Sequence, residues 1–193
     1  MSINLLRDGS YDRKPWKNGG GFTEDVWVTP QGASHDDFDI RLSLATIDRD
    51  GPFSAFPRIN RTITLVGGDP FVLDFGDGHQ HRMEALQPFS FDSALTPSSR
   101  LILGSSHDFN VMTRAGKWHH KVQTVFGGSP TGIALVSPSI LVVHVVSGSW
   151  GVEAGDQVMA YMRDSVIVTD VESIQLEASE GSAAVVAIIQ PVN

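Results

Sequence analysis

Apolar and polar residues alternate with a period of two along much of this chain. No stretch of a dozen residues carries apolar positions at i, i+3, i+4 and i+7, as an amphipathic helix requires. Phe38-Asp39-Ile40-Arg41-Leu42-Ser43-Leu44 puts Ile40, Leu42 and Leu44 on one face of a strand and Arg41 and Ser43 on the other. Arg61-Thr62-Ile63-Thr64-Leu65 alternates likewise, and Gly67-Gly68-Asp69-Pro70 turns it into Phe71-Val72-Leu73. Residues 101–103, 109–113, 141–146, 166–169 and 185–189 continue the series, separated by Gly-Asp, Asp-Gly and Ser-Pro turns. Many short strands at regular spacing predict an all-β sandwich or barrel.

The two halves share a rhythm. Ile63-Thr64-Leu65-Val66-Gly67-Gly68 resembles Val143-His144-Val145-Val146-Ser147-Gly148, and each leads into another short strand. A strand, a glycine turn, a strand and then a Gly-Asp turn such as Gly155-Asp156 is the pattern of the cupin, a small jelly-roll barrel. The chain is therefore expected to hold two such barrels as a single bicupin unit, residues 1–126 and 127–193, joined near Gly127-Gly128-Ser129-Pro130. No charged or low-complexity linker separates the halves, so tight packing between them is expected.

Composition narrows the function. The 193 residues include 14 basic and 22 acidic side chains, a net charge of −8, and no cysteine. An acidic protein is poorly suited to nucleic acid or an anionic membrane surface, which need a basic face. Without cysteine there are no disulfides, thiolate metal sites or cysteine nucleophiles. Residues 1–16 lack the apolar stretch of a secretory signal, and no run approaches the length of a membrane span. A soluble cytoplasmic protein is expected.

Four segments carry chemical information. In Pro15-Trp16-Lys17-Asn18-Gly19-Gly20-Gly21-Phe22-Thr23, three glycines allow close backbone approach, and Trp16, Lys17 and Asn18 supply a ring, a cation and an amide. The same segment also reads as a plain glycine-rich lead into a strand with Trp16 packed as a lid. Arg61 alternates with Ile63 and Leu65 and should point into the mouth of a barrel, where its guanidinium needs a carboxylate from a ligand or from Asp39, Asp50 or Asp108. Thr62 then faces the opposite way. Asp108, Asn110 and Met112 share one strand face, which places poor strand formers either in a pocket or at an exposed edge.

Histidines offer a metal alternative. His79, His81 and Glu84 echo the His-x-His and Glu of metal cupins, but the spacing to Glu84 is short and the segment sits after a hairpin-like Gly76-Asp77-Gly78. An exposed polar loop is the favoured reading there, and also for Gly116-Lys117-Trp118-His119-His120-Lys121. His144 reads as a core histidine. No G-x-S-x-G nucleophile motif is present.

Taken together, these blocks resemble the HutD family, which includes the Ves proteins. The matching stretches are residues 15–21 with Thr23, Asp39 to Ala45, Asp50 to Pro57, Arg61 to Leu65, Pro88 to Phe91 and Asp108 to Arg114. The resemblance implies a two-cupin fold without an established metal or other cofactor. It also implies an association with bacterial histidine utilisation, with binding of a pathway metabolite rather than catalysis of a known step. Formylglutamate is the ligand it points to first. The binding residues expected on this basis are Trp16, Lys17, Asn18, Gly19, Arg41, Ser43, Arg61, Thr62, Asp108 and Asn110, holding a small anion. The alternative is a cupin enzyme acting on a small carboxylate, metal-dependent through His79, His81 and Glu84 or metal-free through Asp108 and Arg61. A purely structural dimerising protein is the third reading, since the edge strands of jelly rolls leave room for a homodimer.

Overall fold

A computed structural model describes residues 2–16 and 19–192 of the chain, and every regular element among them is a β-strand. The chain divides into two units, one of residues 12–118 and the other of residues 1–11 together with 119–193.

The unit of residues 12–118 contains β2 (Asp12–Pro15), β3 (Gly21–Thr29), β4 (Ile40–Ile47), β5 (Gly51–Pro52), β6 (Ile59–Gly68), β7 (Phe71–Asp74), β8 (Gln80–Met83), β9 (Phe89–Asp92), β10 (Ser98–Leu101) and β11 (Ser106–Arg114). The other unit contains β1 (Ser2–Leu6), β12 (Trp118–Phe126), β13 (Thr131–Ala134), β14 (Ile140–Ser147), β15 (Ser149–Ala154), β16 (Asp156–Tyr161), β17 (Ser165–Thr169), β18 (Ser173–Ala178) and β19 (Ala183–Pro191). The first unit forms sheets β2-β3-β4-β11-β6-β9 and β5-β10-β7-β8, and the second forms β1-β17-β14-β19-β12 and β13-β18-β15-β16. Setting β1, β2 and β3 aside, both units wind eight successive strands in one order. The first, eighth, third and sixth make one sheet, and the second, seventh, fourth and fifth make the other. That is the jelly roll, repeated.

The repeat extends to detail. One extra residue bulges β6 where it pairs with β11, between Leu65 and Gly67, and β14 bulges against β19 at the matching place, between Val145 and Ser147. A glycine of positive φ closes each strand, Gly68 at 74° as the last residue of β6 and Gly148 at 75° directly after β14. The alignment of residues 63–68 with 143–148 is thus a structural equivalence. The division of the chain differs from the expected boundary at 126/127. Residues 119–126 belong to β12, the first strand of the second jelly roll, and β1 pairs with β17 although some 160 residues separate them, as in Ser2 opposite Thr169.

Each core lies between its two sheets. In the second unit Leu141, Val143, Val145, Val166, Val168 and Val186 meet Trp150, Val152, Ile174 and Leu176. In the first, Ile47, Ile63 and Leu65 meet Phe71, Leu73 and Met83. At about 25 cal/mol per Å², burial of such side chains is the main stabilising term. Among the described residues there is no helix long and apolar enough to cross a membrane.

Candidate functional site

The first jelly roll is apolar at one end and polar at the other, and strand register produces the gradient. Asp108, Asn110 and Met112 project from one face of β11. Met112 lies between Arg41 on β4 and Arg61 on β6, Asn110 between Ser43 and Ile63, and Asp108 between Ala45 and Leu65. One step further on β4, Ile47 joins the apolar cluster. The polar end opens into a cavity of about 690 Å³ lined by Trp16, Thr23, Arg41, Ser43, Arg61 and Asn110, with Phe53, Phe56 and Met112 as its apolar wall.

Arg61 is buried, 6 % exposed, as is Arg41 at 5 %. Its Nε donates to Asn110 Oδ1 at 2.8 Å and its Nη2 donates to the same oxygen. Asn110 Nδ2 in turn donates to Asp108 Oδ1. The guanidinium lies 4.6 Å from the Phe53 ring centroid and 5.6 Å from that of Phe91. Burial pulls its pKa down to about 10, with Asp108 opposing that shift, so it stays charged at neutral pH. Among the described residues Arg61 forms no ion pair with a carboxylate; a neutral amide receives its hydrogen bonds.

Arg41 is held differently. Its Nε and Nη2 lie 2.7 and 2.6 Å from Asp25 Oδ1, and Lys14 Nζ lies 3.0 Å from the other oxygen of Asp25. A bulge in β3 between Asp25 and Trp27 keeps Thr23 and Asp25 in register with Ala45 and Ser43, so both point to the cavity face. Trp16 closes one side, its indole N–H donating to Thr23 Oγ1 at 2.8 Å. Gly21 is required here: a Cβ at this position would stand 1.9 Å from the carbonyl oxygen of Thr46, which its strand approaches from the side. Opposite, the loop after β5 is fixed by Phe53 N–H to Pro97 O at 2.9 Å and Phe56 N–H to Ser93 O at 3.1 Å. His35 stacks on Phe56, and burial, aided by Arg41, holds its pKa below the usual value.

The structure thus brings Trp16, Arg41, Ser43, Arg61 and Asn110 to one cavity. Asp108 stands behind that wall, fully buried beneath Asn110. Thr62 points to the other face of β6 and hydrogen-bonds Ser90 at 2.7 Å, a direct result of strand alternation. Gly19 sits in the turn before β3, its N–H donating to Trp16 O, and does not line the cavity. Lys17 and Asn18 lie outside the described residues. Arg114 is engaged by Asp39 at 3.1 Å and by the carbonyls of Asp36 and Phe38, and does not itself line the cavity.

His79, His81 and Glu84 do not form a ligand set. His79 lies in the turn before β8 against Phe75, His81 stacks on Phe89 at 3.6 Å, and Glu84 pairs with Arg82 at 2.6 Å. Among the described residues no three His, Cys, Asp or Glu side chains are placed to hold a metal ion. His119 and His120 are on strand β12 rather than in a loop, because this segment opens the second jelly roll. His144 is buried as expected and bonds Ser165.

Sequence reasoning missed Asp25, His35, Phe53 and Phe56. The segment of residues 50–57 stood out as a motif, but its rings had no periodicity to give them a direction. Asp25 needed the bulge, which leaves no clear mark in the residues around it.

The register also explains why the cavity belongs to one unit. The positions equivalent to Arg61, Asn110 and Asp108 in the second jelly roll are Leu141, Val186 and Ala184, all packed in its core.

The family model for HutD matches residues 8–186. An uncharacterised 21.2 kDa protein of the hutC 3' region of Pseudomonas putida is 37 % identical over 128 residues, 66 % of each chain. Protein Ves of Escherichia fergusonii is 35 % identical over 151 residues, covering 75 % of this chain and 72 % of the relative. The solved structure of HutD from Pseudomonas fluorescens superposes with a TM-score of 0.83 at 29 % identity, covering all of both chains. The family match runs through both jelly rolls, well beyond the segments whose motifs carry the resemblance, and the chain belongs to the HutD family.

Proposed function

We propose that this protein is a cytoplasmic binding protein for a small carboxylate metabolite of histidine breakdown, with formylglutamate the first candidate, and that it senses or buffers that metabolite without turning it over. The observation that carries the proposal is Arg61. A guanidinium this deeply buried ordinarily requires a carboxylate. Here the protein supplies the amide oxygen of Asn110, and Arg61 lines a cavity of about 690 Å³. That volume suits a small metabolite, and an apolar wall with a few convergent polar groups is the usual build of a ligand site. Arg41, Ser43 and Asn110 complete the polar contacts, and Trp16 closes the pocket. Phe53 and Phe56 cover the aliphatic part of the ligand. Membership of the HutD family and the hutC-region relative support the link to histidine utilisation.

Thermal unfolding with histidine, urocanate, formiminoglutamate, formylglutamate and glutamate tests the proposal. A ligand present at 100 times its Kd stabilises by about 2.7 kcal/mol, which raises the melting temperature by several degrees. The expected result is a rise with an acidic member of the set that disappears in a folded Arg61→Gln variant. No rise with any acid, or an equal rise in Arg61→Gln, would sink the proposal.

A further inference from the structure

The cations around the cavity are already largely neutralised from within. Asp25 takes up Arg41 and, with Asp12, Lys14, and Asp36 lies on the cavity wall. Arg61 is the exception, and beneath it lies Asp108, fully buried on β11 and linked to Arg61 only through Asn110. Asp108 Oδ2 has no hydrogen-bond partner among the described residues. A buried carboxyl oxygen without a donor disfavours the anion and suits the protonated form. The elements packed around Asp108 offer little else to balance it. Ala45 on β4 and Leu65 on β6 flank it in register, and the facing sheet contributes Phe71, Leu73 and Met83 to the interior. Its strand neighbour His107 bonds Thr46 on the other face. The charged group that faces it is Arg61, with Arg41 and Asp25 at the mouth. Burial pushes the Asp108 carboxyl up to about 6, against the pull of Arg61 and of the Asn110 hydrogen bond.

We propose that Asp108 sets the charge of the cavity, taking up a proton from solvent when a carboxylate docks against Arg61. The proposal rests on the reading of the cavity as a carboxylate site. A docked anion screens the attraction that keeps Asp108 ionised and adds a like charge nearby, so the carboxyl holds its proton to higher pH in the complex than in the free protein. Binding then consumes protons near neutrality, and affinity rises as pH falls. Asp108 is a positioning and charge-setting residue; it does not touch the ligand.

Calorimetric titration of the full chain with N-formyl-L-glutamate, and with glutarate as a second acid, tests this in phosphate and in Tris at pH 7. The two buffers differ in ionisation heat, so proton uptake appears as a buffer-dependent binding enthalpy. The expected result is uptake in the wild-type protein and an affinity that falls about fivefold from pH 6 to pH 8, as a rise of about one pKa unit on docking requires. Asp108→Asn should bind with equal heat in both buffers and a flat pH profile. Infrared difference spectra of the wild-type protein give a second readout that needs no variant, since docking should raise a protonated-carboxyl band. Binding without proton uptake, or uptake unchanged in Asp108→Asn, overturns this proposal and leaves the carboxylate site standing. Failure of both acids to bind overturns both.

Discussion

At the scale of single residues the two arginines of the cavity mouth do different work. Arg41 is paired with Asp25 through Nε and Nη2, with 6 % and 11 % of the two side chains exposed. Arg61 has no such partner among the described residues and carries the binding proposal. Removing one member of a buried ion pair leaves an uncompensated charge and costs about 3–5 kcal/mol. Asp25→Ala is therefore expected to lower stability by about that amount in denaturant unfolding. Glu84→Ala, which breaks an exposed pair with Arg82, should change it by at most about 1 kcal/mol. Equal losses in the two variants would show that Asp25 does not hold Arg41 in the folded protein.

At the scale of elements, strand alternation explains most of what the sequence reveals. Arg41 with Ser43 and Asp108 with Asn110 follow from a period of two, and the equivalence of β6 with β14 was legible in residues 63–68 and 143–148. Elements whose meaning depends on a partner strand were not legible. The bulge at Asp25, the pairing of β1 with β17 and the rings of the loop after β5 are set by tertiary contacts rather than by local pattern. β14 also carries a pH response. Burial, reinforced by Arg163 and opposed by Asp164, drives the His144 pKa down to about 3, while an unfolded histidine titrates near 6.5. Below pH ~6.5 the unfolded chain binds a proton that the folded chain refuses, so stability falls with acidification until the folded value is reached. The predicted loss is on the order of a few kcal/mol, and between pH 7 and pH 4.5 the denaturant midpoint of the wild-type protein should fall more steeply than that of His144→Gln. Parallel slopes would mean that His144 is not held neutral by the fold.

At the scale of the whole molecule, two jelly rolls of one topology have diverged in their interiors. The second fills the positions of Arg61, Asn110 and Asp108 with Leu141, Val186 and Ala184 and becomes a continuous apolar core. The first keeps them polar and retains a cavity. A chain with a net charge of −8 nevertheless sets Lys14, Arg41 and Arg61 around one cavity, and the proposed small-anion site rests on that placement. The central claim is that the anion docks on Arg61. A crystal structure of the protein grown with N-formyl-L-glutamate tests it most directly. The account predicts a ligand carboxylate within hydrogen-bond distance of the Arg61 guanidinium, between Phe53 and Asn110. A ligand bound elsewhere, or an occupied cavity whose carboxylates leave Arg61 untouched, would contradict it.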